Sequence, residues 1–207
     1  MLWGGTADGG GLELRRESNG GARLSGRFPY GKPAVLSDGG RTGRPRKEVI
    51  ARGAFSYRID DPKEDIHLLV GHDFGQPLAS KGTGTLKFTE TAAALMFTAV
   101  ITPEIADTVH GRDALALIDA GLAVGISPGF RIPPERAVPK AEEITEEEHA
   151  PEEDKHRAII RTILAALLYE FSIVTRPAYP EAQVEARSWE TAEFIPPRPF
   201  TPHSRWR

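Results

Sequence analysis

The sequence predicts a single α+β domain, because strand-length apolar segments lie on both sides of one region with helical spacing. The 207 residues, of which 40% are apolar and 27% charged, suffice for one sizeable core and match the length of one domain. No internal repeat interrupts this order of elements. We expect a folded domain at 12–185, a flexible glycine-rich lead at 1–11, and a tail rich in Pro and Arg at 186–207.

The first hundred residues are predicted to be rich in β-strands. Short apolar or alternating segments are separated there by Gly, Pro, Asp and Asn. These segments are residues 12–14, 22–28, 49–55 and 66–70. Two further apolar segments, at 85–88 and 95–100, flank a polar Thr-Glu-Thr step at 89–91, a pattern typical of a β-hairpin.

The pattern changes at Thr102, where a helical region is predicted to begin. Thr-Pro-Glu at 102–104 supplies an N-cap, a proline at the first helical position and an acid in the first turn. Apolar residues then recur at helical spacing, at Leu115, Ile118 and Leu122. We expect one helix, or two short helices broken near Gly111, with Gly121 as the C-terminal cap.

Strand character returns after the helix. It covers 122–130 and is followed at 133–156 by prolines and acids with almost nothing apolar, which predicts a solvated acidic loop. Residues 158–174 are strongly apolar and end in a β-branched run, so their second half is predicted to be a strand. The first half, rich in Ala and Leu, fits either a helix or a strand.

Charge and cysteine content narrow the possible functions. The formal net charge is -3, so no overall positive field would draw the chain to nucleic acid or to an anionic membrane. The absence of cysteine excludes disulfides, thiolate zinc sites and thiol nucleophiles, and it suits a reducing cytoplasm. A signal peptide is not apparent, and no stretch approaches the ~18 apolar residues of a membrane span. We expect a cytosolic protein whose covalent nucleophile, if it has one, is an oxygen.

Ser127 is a candidate nucleophile. The segment Gly-Ile-Ser-Pro-Gly-Phe at 125–130 places it between glycines, which give a substrate backbone room to approach the hydroxyl. A serine between glycines is more often part of a turn or bulge, so the segment does not decide the matter. An α/β-hydrolase is disfavoured, because a helix precedes Ser127 and Pro128 cannot easily continue into one.

His72 is the candidate general base, since a serine hydroxyl needs a base whose pKa lies near the operating pH. Gly71-His72-Asp73 directly follows the apolar segment 66–70, so the imidazole would be held at a strand end and still be reachable. The alternative is a loop histidine that faces solvent. Glu170, in the apolar segment 167–174, could orient an imidazolium or could face solvent from an edge strand.

Period-2 alternation groups Glu170 with Leu168, Ser172 and Val174 on one face of its strand.

Two other functions compete with a serine hydrolase. His67, His72 and Asp73 could bind a metal, but their i, i+5, i+6 spacing matches no standard zinc pattern, so neither a metal nor a cofactor is expected. The second is a non-catalytic, β-rich capsid assembly or scaffold component. That function predicts no reaction of Ser127 with an active-site probe.

Four segments, taken in order, resemble the tailed-phage prohead protease family, which is related in fold to the herpesvirus capsid maturation proteases. They are residues 48–55, 71–73 with 76–78, 120–131 and 168–180, within a similarity that runs roughly from Ala22 to Val184. The resemblance implies a mostly antiparallel, barrel-like β core wrapped by a few helices. It also implies that Ser127 is the nucleophile and His72 the base, with Glu170 as third member and Asp73 or another histidine as the alternative.

Pro128 departs from the family pattern, in which a small aliphatic residue more often follows the nucleophile. Proline has no N–H to offer to the oxyanion of the tetrahedral intermediate, so another donor is expected. The candidates for oxyanion or substrate binding are Gly129, Arg131 and Arg176, with Arg176 preferred because related viral proteases use a loop after the third triad member.

The resemblance also implies the biological setting. Members of the family cleave scaffold protein, or a scaffolding segment of the major capsid protein, and often themselves. The expected location is inside the assembling prohead in the host bacterial cytoplasm. We expect a homo-oligomer that acts on capsid or scaffold protein and binds neither membrane nor nucleic acid directly.

Overall fold

The structure is a computed structural model that describes residues 12–40, 43–123, 125–150 and 155–175. The lead predicted at 1–11, the tail predicted at 186–207 and Arg176 lie outside the described residues. The described helices are α1 Ser56–Asp60, α2 Pro103–Ala106 and α3 Val109–Asp119. The described strands are β1 Glu13–Arg16, β2 Ala22–Pro29, β3 Pro33–Ser37, β4 Arg46–Ile50, β5 His67–Val70, β6 Asp73–Ser80, β7 Leu86–Glu90, β8 Ala94–Ile101, β9 Gly125–Arg131, β10 Glu142–Glu146, β11 His149–Ala150, β12 Lys155–His156, β13 Ile159–Ile163 and β14 Leu167–Val174.

These strands form three four-stranded sheets and one two-stranded sheet. The strand orders are β1-β2-β8-β7, β10-β13-β4-β3, β6-β5-β14-β9 and β11-β12. Most pairs are antiparallel, whereas β14 with β5 and β13 with β4 are parallel. The predicted strand-rich domain with few helices is confirmed. A barrel-like core is not confirmed, because none of the sheets formed by the described strands closes on itself.

Two elements predicted from local sequence patterns, the hairpin and the start of the helical region, are present in the structure. The predicted hairpin is β7 with β8, whose turn is fastened by hydrogen bonds of about 2.7–2.9 Å between Thr91 and Ala94. The helical region begins with Thr102 as N-cap, but it breaks at Asp107–Thr108 and not at Gly111. Gly111 lies in the first turn of α3, where a Cβ would come within 1.9 Å of the Ile105 carbonyl oxygen. This close approach of the two helices explains the glycine.

Two predicted boundaries are wrong. The strand predicted at 49–55 ends at Ile50, because the chain turns there and Phe55 becomes the N-cap of α1. The acidic loop predicted at 133–156 contains the exposed strand β10, which pairs with β13, as well as β11 and β12. Backbone pairing with a strand nearly twenty residues away orders β10 although it has little apolar surface of its own.

Aromatic packing joins two of the sheets and fixes the strand that carries Glu170. Phe171 of β14 is fully buried, and its ring centroid lies 5.9 Å from Phe28, 6.3 Å from Phe55 and 5.9 Å from Phe97. Burying an aromatic side chain of this size stabilises a fold by roughly 1.5–3 kcal/mol. The neighbours of Phe171 on β14 are therefore held against a rigid layer.

The helices in the described part of the chain are too short to be candidates for a membrane span.

Candidate active site

His72 lies in a two-residue turn between β5 and β6. Both turn residues have positive φ, 61° for Gly71 and 64° for His72, as a type I′ hairpin turn requires. A left-handed conformation costs a residue with a side chain about 1–2 kcal/mol. The surrounding contacts must hold His72 in place against this cost, a situation typical of functional sites.

Two residues of β14 supply these contacts. Glu170 Oε1 lies 2.8 Å from His72 Nδ1, and the His72 backbone N–H donates to Ser172 Oγ over 2.8 Å. The Ser172 hydroxyl donates in turn to Glu170 Oε2 over 2.6 Å. Both carboxylate oxygens are thus used, one on the imidazole and one on the hydroxyl that also holds the His72 backbone.

Burial is graded across this network. Glu170 is 3% exposed and Ser172 is fully buried, whereas the His72 side chain is 47% exposed. A buried carboxylate needs hydrogen-bond donors, and the network supplies one to each oxygen. The imidazole is accordingly anchored on its Nδ1 side, and its Nε2 lies on the opposite side of the ring from the anchor. This arrangement can orient a histidine as a proton acceptor toward solvent or substrate.

Ser127 lies on the neighbouring strand β9, directly opposite Ser172 in the antiparallel register. Opposite residues of such a pair have Cα atoms about 5.5 Å apart when they exchange hydrogen bonds, and their side chains share one face. Half-buried Ser127 therefore shares a sheet face with Glu170 and Ser172. Among the described residues, Ser127 and His72 make no direct hydrogen bond, and such contacts are often long in enzymes without substrate.

The hydrogen-bonding direction of β9 follows from two independent observations. The Gly71 N–H bonds to the Ile173 carbonyl over 3.1 Å, so the polar backbone groups of Ile173 face β5, and those of Ser172 and Glu170 face β9. Pro128, opposite Phe171, has no N–H and fits the position that leaves the ladder unbonded. Gly129 then directs its N–H toward Glu170 in the ladder. This direction argues against Gly129 as an oxyanion donor.

Gly129 has a different structural role. An added Cβ would lie 1.8 Å from Glu170 Oε1 and 2.6 Å from its carboxyl carbon. The carboxylate therefore occupies the space above the backbone of β9 that any side chain at position 129 would fill. The glycine permits Glu170 to lie flat between the strands and reach His72.

The alternative partners of His72 lie elsewhere. Asp73 accepts the Gly75 N–H over 2.7 Å and the Gln76 side-chain amide over 2.9 Å, and these bonds lower the pKa of the Asp73 carboxyl. His67 packs its ring 5.9 Å from that of Phe74. The structure thus brings Glu170, and not Asp73, to His72. The part of the chain described contains no group of three or more metal-binding side chains.

A β-bulge in β14 alters the predicted alternation. The register shifts between Leu168 and Glu170, which makes Tyr169 the extra residue. Leu168 consequently joins Phe171 and Ile173 in the hydrophobic core, and its predicted grouping with Glu170 is wrong. The bulge also directs Tyr169 toward the guanidinium groups of Arg58 and Arg131, whose carbons lie 4.2 Å and 5.7 Å from the ring centroid.

Ser172 is the member of this hydrogen-bond network that the sequence did not single out. It appeared only as a member of the alternating set around Glu170, two positions away on the same face. A hydroxyl beside a carboxylate in an otherwise apolar strand was the available signal, because a buried polar pair requires mutual hydrogen bonds.

Comparison with known proteins identifies a family. The family model described as Caudovirus prohead serine protease matches residues 37–194, well over half of the chain. No curated protein and no solved structure gives a significant match. The matched range includes β9, β14 and the β5–β6 turn, the elements that carry Ser127, Glu170 and His72. The chain therefore belongs to the caudovirus prohead serine protease family and is a serine endopeptidase.

Proposed function

We propose that this endopeptidase matures phage proheads by cleaving scaffold protein, or the scaffolding segment of the major capsid protein, with Ser127, His72 and Glu170 as its catalytic residues. The 2.8 Å contact between His72 Nδ1 and Glu170 Oε1, on the sheet face that carries Ser127, is the observation that supports this assignment best. Family membership supports the capsid-maturation role.

The proposed mechanism follows from the network. Ser127 Oγ attacks the scissile carbonyl carbon while its proton passes to Nε2 of His72, which later gives it to the leaving amine. Glu170 keeps the Nδ1 proton of the imidazole in place and stabilises the imidazolium. Water then hydrolyses the acyl ester with His72 again as base.

Of the three candidate oxyanion donors, Gly129 and Arg131 are less well placed than Arg176 is expected to be. Gly129 directs its N–H into the ladder, and Arg131 lies four residues from Ser127, about 13 Å along an extended strand. Arg131 is therefore better placed to contact a remote part of the substrate than the reacting carbonyl. Arg176 remains the predicted donor on sequence grounds.

The experiment that tests the function is co-expression with the major capsid protein and scaffold, followed by intact-mass analysis. We expect defined cleavage products with the wild-type chain, products of self-cleavage among them, and none with Ser127→Ala. Assembly without any cleavage, together with no labelling of Ser127 by a fluorophosphonate, would favour the non-catalytic scaffold function instead. Homo-oligomerisation and a location inside the prohead belong to the same proposal.

The identity of the third catalytic residue can be tested by comparing how far substitutions at Glu170 and at Asp73 lower kcat. Glu170→Gln should lower kcat strongly, because an amide cannot stabilise the imidazolium, but roughly one to two orders of magnitude less than loss of Ser127. Asp73→Asn should have a far smaller effect, since the Asp73 carboxylate only fastens its own turn. Steady-state kinetics on a peptide spanning the mapped cleavage site gives the ranking. A larger loss for Asp73→Asn would transfer the role to Asp73.

Ser172 should act as a positioning residue. Ser172→Ala removes a hydrogen bond to the Glu170 carboxylate and the acceptor for the His72 N–H, and bonds to charged groups contribute about 1.5–3 kcal/mol. We expect kcat to fall by roughly 10- to 100-fold with KM nearly unchanged. Ser80→Ala is the matched control, because Ser80 is a buried, hydrogen-bonded serine away from His72. Equal losses of kcat in Ser172→Ala and Ser80→Ala would mean that Ser172 contributes only to the stability of the fold and does not position His72.

A further inference from the structure

A pocket of about 310 Å³ borders the proposed catalytic centre. Its lining residues are Phe74, Gly129, Phe130, Arg131, Tyr169 and Glu170. Gly129 and Glu170 also belong to the His72 network, and Gly129 and Arg131 lie on β9, the strand that carries Ser127. A substrate that extends along β9 from Ser127 would therefore pass this pocket.

The pocket is lined by aromatic rings, and that of Tyr169 is held in place by its neighbours. Tyr169 is held from one side by Arg58, whose guanidinium carbon lies 4.2 Å from the ring centroid. Arg58 in turn pairs with Glu64 over 2.6 Å and donates to the Asp65 carbonyl over 3.0 Å. Phe74, which also lines the pocket, is 61% exposed. Such a large exposed ring in a pocket lining is suited to contact a ligand.

The charge of the pocket comes from Arg131. Its guanidinium lies beside the Tyr169 ring, at 5.7 Å, and it has no ion-pair partner among the described residues. The charge of Arg58 is balanced by Glu64. Glu170 is buried, and its oxygens are occupied by His72 and Ser172. Arg131 is thus the group that an incoming ligand meets as an uncompensated cation.

We propose that this pocket is a substrate subsite that selects a glutamate side chain, whose methylene groups would lie against Phe74 and Tyr169 while its carboxylate pairs with Arg131. A planar guanidinium can bind a carboxylate through two parallel hydrogen bonds. Glu has two methylene groups to lay against the two rings, whereas Asp has one, so Glu would bury more apolar surface there. This inference rests on the proposed function, since it assumes that Ser127 is the nucleophile.

The strand geometry gives the position of this residue in the substrate. Gly129 and Arg131 lie about 7 and 13 Å from Ser127 along β9, at about 3.3 Å per residue. An extended substrate has the same spacing. The selected side chain should therefore lie two to four residues from the scissile bond.

The test is cleavage-site profiling of the full-length protein with a peptide library, followed by kinetics on matched peptides. The peptides carry Glu, Gln, Leu or Lys at the enriched position. For the wild type we expect kcat/KM for the Glu peptide to exceed that for the Lys peptide by roughly 10- to 100-fold. Arg131→Glu should reverse the preference and cleave the Lys peptide better. Arg136→Glu makes the same charge change at an exposed arginine outside the pocket lining and should keep the preference for Glu.

Three results of these measurements would overturn the proposed glutamate subsite. No enrichment of acidic residues within two to four positions of the scissile bond, or a Leu peptide cleaved better than the Glu peptide, would overturn it. The wild-type peptide series decides this even if Arg131→Glu fails to fold. An unchanged ratio of Glu to Lys cleavage in a folded Arg131→Glu variant would equally overturn it. Undiminished cleavage of all peptides by Ser127→Ala would instead refute the catalytic assignment, so the two failures are distinguishable.

Discussion

Replacing Ser127 or His72 with alanine should abolish cleavage of scaffold and self-cleavage, with a loss beyond about a hundredfold in each case. Either change removes one half of an activated hydroxyl: the oxygen that forms the acyl ester, or the nitrogen that accepts its proton. Because the two residues act as a unit, the double variant should be barely worse than either single variant. Kinetics on the mapped cleavage-site peptide, together with intact-mass analysis of co-expressed capsid protein, measures both effects.

His72→Ala changes the backbone strain as well as the imidazole, so a second variant at position 72 is needed to separate the two effects. Alanine is strained at a φ of 64°, so His72→Ala also weakens the turn, whereas asparagine tolerates the left-handed conformation. His72→Asn should therefore be as inactive as His72→Ala and have a higher unfolding midpoint. His67→Ala, on the adjacent strand β5, is the histidine control and should remain active. Wild-type rates for Ser127→Ala and both His72 variants would show that the chemistry lies elsewhere.

Local signals were sufficient to predict some elements of this fold. The hairpin of β7 and β8 and the start of the helical region at Thr102 depend on residues close in sequence, and both are present. The strand β10 was missed because its order comes from pairing with β13 and not from its own exposed side chains. Pairing between distant segments leaves little trace in a single sequence.

In the candidate active site, too, local patterns could be predicted from the sequence, whereas contacts between distant segments could not. The sequence could show that Glu170 needed a partner, but not which one, because parallel pairing of β14 with β5 brings residues 98 positions apart into contact. The sequence also did not indicate the β-bulge at Tyr169, so the face of the strand on which Leu168 lies was predicted wrongly. Gly129 was predicted as a backbone donor, and the structure adds a steric reason for a glycine there, because a Cβ at this position would meet the Glu170 carboxylate.

This steric role makes Gly129→Ala the change with the next largest expected effect. A methyl group 1.8 Å from Glu170 Oε1 cannot be accommodated, so the carboxylate must leave its place and its hydrogen bond to His72 Nδ1 is lost. We expect kcat to fall by about a hundredfold, comparable with the loss of the carboxylate itself. Forcing an extra methyl into this packed region should also destabilise the fold by about 1–3 kcal/mol.

A double-mutant cycle with Glu170→Ala separates this explanation from a role of the Gly129 N–H. Alanine retains the backbone N–H, so a donor role predicts little effect of Gly129→Ala in any background. If Glu170 transmits the effect, Gly129→Ala should be severe in the wild type and nearly neutral once Glu170 is alanine, because the clashing atoms are gone. The cycle needs kcat and the unfolding free energy for four proteins. Strictly additive losses would mean that Gly129 acts independently of Glu170, and the steric account of this glycine would then be wrong.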